Sequence, residues 1–181
     1  MLKIKIHQVL IIFILLFFVG CNYNRPVKSW KPVSEAEIKK FTVENKFELI
    51  VKKEIKSAFT VILVESPIEI GYYSLSNLNG KTMTLNSSKI SKNSNLPLIN
   101  EYVTVASNDT PEIPYVILVI NDDELLKKAY KAAVKFNNGF EKNEFITNKG
   151  AIIPNEGKQI VHDEVYSITI FDKKGEVLLR N

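Results

Sequence analysis

The chain has 181 residues, 45% of them hydrophobic and 24% charged, the balance of a folded globular protein rather than a disordered one. Lys and Arg number 24 against 20 Asp and Glu, a formal net charge of +4; so even a balance excludes the basic footprint that nucleic-acid binding leaves. A single cysteine, Cys21, rules out an internal disulfide, so stability has to come from packing.

The first 21 residues, M-L-K-I-K-I-H-Q-V-L-I-I-F-I-L-L-F-F-V-G-C, have the parts of an export signal. Lys3 and Lys5 make a positive start, residues 9–19 form an unbroken apolar run of 11, and the small Gly20 precedes Cys21. A membrane-spanning helix needs about 20 apolar residues, so this run is short for one. The segment F-V-G-C at 18–21 resembles the signal of bacterial membrane lipoproteins, with Phe18 where that family usually has Leu or another aliphatic residue. The resemblance implies that residues 1–20 are a signal peptide, removed before Cys21, and that the Cys21 thiol carries a diacylglycerol. Two acyl chains hold a protein where one would be marginal, at roughly 0.8 kcal/mol per buried CH2. The expected location is the extracytoplasmic face of the cell membrane, reached through the N-terminal lipid. Loss of Lys3 and Lys5 leaves 22 basic and 20 acidic residues, a net of +2.

Residues 21–33 are expected to be the lipidated cysteine and a tether, and 34–181 a single β-rich domain. N-Y-N-R-P-V-K-S-W-K-P at 22–32 has no apolar period and two prolines, so it reads as extended chain. At about 3.1 Å per residue it keeps the domain within roughly 35 Å of the lipid. Trp30 is expected to pack under the edge of the domain, the alternative being a place at the headgroup level.

Ser34 and Glu37 form a capping box, and Val33 and Ile38 the two positions of a hydrophobic staple, which predicts a helix over 35–44 burying Ile38 and Phe41. From residue 47 the pattern turns to β-branched and aromatic runs broken by Asn, Gly, Pro and Ser, predicting strands at 47–55, 59–65, 68–75, 81–86 and 101–106. Asn79-Gly80 supplies the tight turn between the third and fourth. The polar stretch 86–100 is expected to be the longest loop and the place for variable surface function. Y-V-I-L-V-I at 115–120 is the one fully apolar run after the signal, as a strand buried on both faces requires.

Asn121 and Glu124 form a second capping box, with Ile120 and Leu125 as staple, predicting a helix over 122–130. K-K-A-Y-K-A-A could prolong it to Phe136, but Val134 and Phe136 alternate and lead into Asn138-Gly139, which favours a hairpin of 131–136 with 140–146. Asn148-Lys149-Gly150 turns toward a strand at 151–153. Strands at 166–171 and 176–179 flank Asp172-Lys173-Lys174-Gly175, with Gly175 suited to the left-handed position of a bulged hairpin.

About ten strands and two minor helices predict a mainly β protein, an antiparallel β-sandwich of two packed sheets. A-V-K-F-N-N-G-F-E, G-A-I-I-P and S-I-T-I-F-D-K-K-G-E-V-L resemble the closing hairpins of immunoglobulin-like modules of bacterial surface proteins, a likeness of under 50 residues that bears on fold alone.

With Cys21 lipidated, the remainder has one histidine, His162, and no thiol. Cysteine-rich or multi-histidine zinc sites, Cys-His catalysis and redox pairs therefore fall away, and no cofactor or metal is expected. No nucleophile elbow, phosphate loop or dinucleotide fingerprint occurs. His162 beside Asp163 and Glu164 is a conceivable base, better explained by a polar loop. Asn121 to Glu124 is better explained by a helix cap than by calcium. Lys127, Lys131 and Lys135 would form a basic stripe on a long helix, here read as a solvated face. Tyr72 and Tyr73 point to opposite faces of a strand, so one should be core and one exposed.

The expectation is a non-catalytic binding module near the membrane, with an envelope protein or wall polymer as partner. The alternative is a small exported hydrolase that uses two carboxylates on wall polymer.

Overall fold

The computed structural model describes residues 30–92, 96–104, 113–157 and 165–181. Cys21, the signal at 1–20, the tether up to residue 29, and His162 with Asp163 and Glu164 lie outside the described residues. No helix among the described residues is long and apolar enough to cross a membrane.

Twelve strands and two helices are present among the described residues, and the named strand pairs are all antiparallel. Sheet A holds β1 (Trp30–Pro32), β2 (Glu48–Ile55), β3 (Phe59–Glu65), β4 (Glu69–Leu78) and β5 (Lys81–Ser91). Its order is β2-β3-β4-β5, with β1 taking up the edge of β4 beyond the start of β3. Sheet B holds β6 (Leu98–Val103), β7 (Tyr115–Ile120) and β10 (Gly150–Pro154) in the order β10-β7-β6. Sheet C holds β8 (Lys131–Phe136), β9 (Glu141–Phe145), β11 (Val165–Phe171) and β12 (Val177–Arg180) in the order β12-β11-β8-β9. The mainly β, antiparallel expectation holds, and it goes one layer further than two packed sheets.

The reason is β7. Alternate residues of a strand face opposite ways, and here both sets are apolar: Tyr115, Ile117 and Val119 enter the core with sheet A, while Val116, Leu118 and Ile120 enter the core with sheet C. All six are 2% exposed or less. On β10, Ile152 joins the first core and Ala151 and Ile153 the second. Each fully buried aliphatic contributes about 1.5–3 kcal/mol, so the central sheet pins both outer ones. Sheets B and C, from residue 98 onward, are by themselves a two-sheet sandwich.

Sheet A closes its outward face with helix α1 (Glu35–Asn45). The capping box is formed: Ser34 N donates to Glu37 Oε2 at 2.8 Å and Glu37 N donates to Ser34 Oγ at 3.3 Å. The staple pair Val33 and Ile38, both 4% exposed, packs on Ile62, Val64 and Leu75. Phe41 is half-buried and meets Tyr73 edge-on, centroids 5.0 Å apart.

Several elements depart from expectation. The end of the tether is a strand: Trp30, Lys31 and Pro32 pair with Leu78, Asn77 and Ser76. Trp30 therefore packs at the sheet edge, half-buried. Much of the polar stretch read as a loop is strand, because β5 runs on to Ser91; small Ser and Asn side chains suit a strand whose face is largely solvated. The fifth strand begins at Leu98 rather than at 101. The second helix, α2 (Asp123–Lys128), is capped by Asp122, not Asn121: Asp122 Oδ1 accepts from Leu125 N at 2.6 Å. It ends at Lys128 because Ala132, Val134 and Phe136 are needed in the core with sheet C, and that burial outweighs the helical preference of K-K-A-Y-K-A-A. The hairpins form where Asn-Gly and Lys-Gly signalled them, with positive φ at Asn79 (53°), Gly80 (82°), Gly139 (80°) and Gly175 (85°).

Candidate functional site

The outward face of sheet C has no covering element among the described residues. The register across it is Lys135 beside Glu141 and Ser167, and Ala133 beside Asn143 and Thr169, with Thr169 in turn beside Arg180. Their strand neighbours Ala132, Val134, Ile168 and Ile170 fill the core beneath, so alternation dictates that these residues face outward.

Small side chains at the centre and long ones at the rim make a shallow cleft of about 400 Å3. Ala133, Ser167 and Thr169 form its floor; Lys135, Glu141, Phe171 and Arg180 surround it. Lys131 Nζ lies 5.1 Å from the centroid of the Phe171 ring, a cation–π contact that fixes both at the rim. Next to it, Phe145 is 60% exposed and meets Tyr130 edge-on at 5.1 Å. Two hydroxyls, two cations, one carboxylate and an aromatic ring thus converge on one open surface. A polar chain with carboxylate or phosphate groups can be held there by hydrogen bonds and charge, with rings beneath its carbon framework.

The residues singled out from sequence are distributed differently. Of the three lysines that only a long helix would align, Lys127 is on α2, where it pairs with Glu124 at 2.6 Å, while Lys131 and Lys135 are on β8, as the expected hairpin requires, and belong to the sheet C face. The helical stripe does not exist. Asn121 to Glu124 is a helix start, and among the described residues no group of three or more His, Cys, Asp or Glu is placed to hold a metal.

Both tyrosines are engaged, contrary to the expectation that one is exposed. Tyr72 is 2% exposed and its hydroxyl donates to Glu101 Oε1 at 2.9 Å, between sheets A and B. Tyr73 is half-buried under α1. Tyr115 is fully buried, its hydroxyl 2.5 Å from Ser74 Oγ. Burial first, and for Tyr72 the Glu101 carboxylate as well, push both phenols well above their ordinary value of 10. They are neutral internal ties, unsuited to proton transfer near neutral pH.

Two further ionic centres stand outside the cleft. Glu65, at the end of β3, is bridged by Lys92 and by Lys149, the latter at 2.5 Å. Burial would raise its pKa, but the two ammonium groups overcome that and hold it below the usual 4.5. Glu37 is held at about 2, chiefly by the Ser34 backbone N–H and then by the Ser34 hydroxyl, Asn77 and Thr82. Both join elements together. Lys92 and Lys149 clamp the open ends of two loops on Glu65, and Glu37 ties α1 to the β4–β5 hairpin.

Sequence reasoning missed the sheet C cleft. S-I-T-I and A-A-V-K-F announce the outward residues by alternation, but which of them meet across strands is set by register, which alternation does not carry. No protein-family model, curated protein or solved structure matches the chain.

Proposed function

We propose that the protein is a lipid-anchored envelope module of the extracytoplasmic membrane face, without catalytic activity of its own, which binds wall polymer on the outward face of sheet C. The observation that carries the binding half is the open cleft of Ala133, Lys135, Glu141, Ser167, Thr169, Phe171 and Arg180. Its composition suits an anionic, hydroxyl-rich polymer, and its position suits an anchored protein. With a lipid on Cys21 the chain would enter the fold at β1 in sheet A, and sheet C is two layers away from that strand.

The carboxylate-hydrolase alternative needs two carboxyl groups about 5–9.5 Å apart across a cleft. Glu141 is the one carboxylate lining this cleft among the described residues, which favours binding.

The anchor is tested by metabolic palmitate labelling and intact mass: label on the wild type and none on Cys21→Ser supports it, and a free thiol at Cys21 in the mature protein contradicts it. The binding half is tested by incubating the full chain with insoluble wall polymer. Retention that falls when Lys135 and Arg180 are replaced supports the module, while release of soluble fragments that stops in Glu141→Gln assigns the hydrolase instead.

A further inference from the structure

Strand edges expose unpaired backbone N–H and C=O groups, and proteins blunt them with charge, shortness or cover. In sheet A the β2 edge follows that rule: it carries Glu48, Lys52, Lys53 and Glu54, its Ile50 carbonyl accepts from Asn148 Nδ2 at 3.0 Å, and Lys53 pairs with Glu144 at 2.6 Å. In sheet C, β9 has three charged residues in five and β12 is four residues long. The opposite edge of sheet A is blunted less, by one bulge and by Lys81 and Lys89 near its ends. β5 is 11 residues long, residues 82–88 (T-M-T-L-N-S-S) carry no charge, and β4 is its one strand partner among the described residues.

We propose that β5 is a self-association edge: two copies of this chain pair β5 with β5 antiparallel, about a two-fold axis passing between Leu85 and Asn86, joining their A sheets into one.

The occupant follows from the bulge in this strand. Leu75 is opposite Thr84 and Ser74 opposite Asn86, so Leu85 is the extra residue. Before it, Thr82 and Thr84 share the α1 side of the sheet with Asn77 and Leu75; after it, Ser87 and Lys89 share that side with Tyr73 and Gly71. Met83, Leu85, Asn86, Ser88 and Ile90 take the sheet B side, where Leu85 and Ile90 pack in the core. The order of faces is therefore the same read from either end about the 85/86 midpoint. A regular, unbulged strand laid along β5 would match its faces on one side of Leu85 and invert them on the other. A second copy of β5 matches throughout, setting Thr84 opposite Ser87, Thr82 opposite Lys89, Met83 opposite Ser88 and Lys81 opposite Ile90.

Charge and space agree with this pairing. No like charges face each other. Lys89, paired with Glu69 at 3.0 Å in its own chain, arrives from the second copy beside Thr82, whose hydroxyl donates to Glu37 at 2.9 Å, and the groove of about 560 Å3 between α1 and β5 is balanced in charge there, lined by Glu37 and Glu44 with Lys40 and Lys81. The helix covers β3 and β4 but leaves Thr82, Thr84, Ser87 and Lys89 exposed. A self-complementary patch of this kind closes as a two-fold dimer rather than a fibre. A single strand-to-strand contact sits in the small class of interfaces, under about 1,200 Å2, so micromolar dissociation is expected.

The test uses the full chain in mild detergent, carrying Cys21→Ser so that introduced thiols react alone. Sedimentation velocity from 1 to about 300 µM is expected to show a monomer–dimer equilibrium. Chains carrying Thr84→Cys are then mixed with chains carrying Ser87→Cys under mild oxidation. Directly opposed residues lie about 4.5–5.5 Å apart at Cα, within disulfide reach, while equal positions are offset by three residues, about 10 Å. The mixed dimer should form at least about tenfold faster than either homodimer. Thr84→Lys with Ser87→Lys sets like charges opposite each other and should abolish the dimer with unchanged circular dichroism. A monomer at every concentration, or crosslinking without preference for the 84/87 pair, overturns the proposal, and the crosslinking arm decides the matter if the lysine variant fails to fold.

Discussion

On sheet A the outward face carries Ile62, Val64, Leu75 and Tyr73 and lies under α1, whereas on sheet C it carries Ala133, Ser167, Thr169, Lys135 and Arg180 and lies under nothing among the described residues. Both sheets rest on the same central sheet, so the difference lies in what the outer faces are for. An apolar face must be covered, and the capping box and staple that start α1 sit next to the strand that docks it. A face built of small, hydroxylated and charged residues on an apolar back needs no cover.

The comparison can be broken at the sheet the two faces share. Ile117→Ala, toward sheet A, and Leu118→Ala, toward sheet C, should each destabilise the protein by about 2–5 kcal/mol in urea unfolding. Equal losses mean that sheet B carries both neighbours alike, and a loss under 1 kcal/mol on one side would mean that the sheet there is loosely held. Gly150 is a close approach of sheets A and B: a Cβ there would fall 2.4 Å from Leu63 Cδ2 and 3.0 Å from the Leu118 carbonyl. Gly150→Ala should cost about 1–3 kcal/mol by overpacking, recovered in part by Leu63→Ala, as a double-mutant cycle will show.

Smaller effects separate the covered face from the open one. Ser34→Ala should cost about 1 kcal/mol through the cap of α1. Glu37 adds a pH signature: its folded value near 2 is below the ordinary 4.5, so its contribution is complete above pH 4.5 and is lost as pH falls toward 2. Thermal melts across that window should be flatter for Glu37→Gln than for the wild type. On sheet C, Lys135→Ala and Arg180→Ala should each change stability by less than about 0.5 kcal/mol, as exposed positions away from caps and cores do.

How far these regions were legible beforehand follows the same division. The α1 start was readable residue by residue, because Ser34, Glu37, Val33 and Ile38 act within one turn. β3 and β7 were readable to the residue because uninterrupted β-branched runs leave no other reading. The extent of β5 was not, since Asn86 to Ser88 gain their strand state only by pairing across the hairpin with Ser74, Tyr73 and Tyr72, beyond the reach of the segment's own local chemistry. The end of α2 was undecided for the same reason: burial of Val134 and Phe136, not local propensity, stops it. The cleft depends on four strands meeting in register, and neither composition nor period specifies which outward side chains become neighbours. Cys21, the residue from which the compartment is argued, is a matter of sequence alone.

The most direct test of a binding face on sheet C is co-sedimentation of the full chain with purified insoluble wall polymer, comparing wild type with Lys135→Glu plus Arg180→Glu. The account predicts saturable retention by the wild type, a drop of at least about tenfold in the variant, or about 1.4 kcal/mol, and unchanged melting temperatures. Equal retention of the two proteins, or none by the wild type, would contradict it.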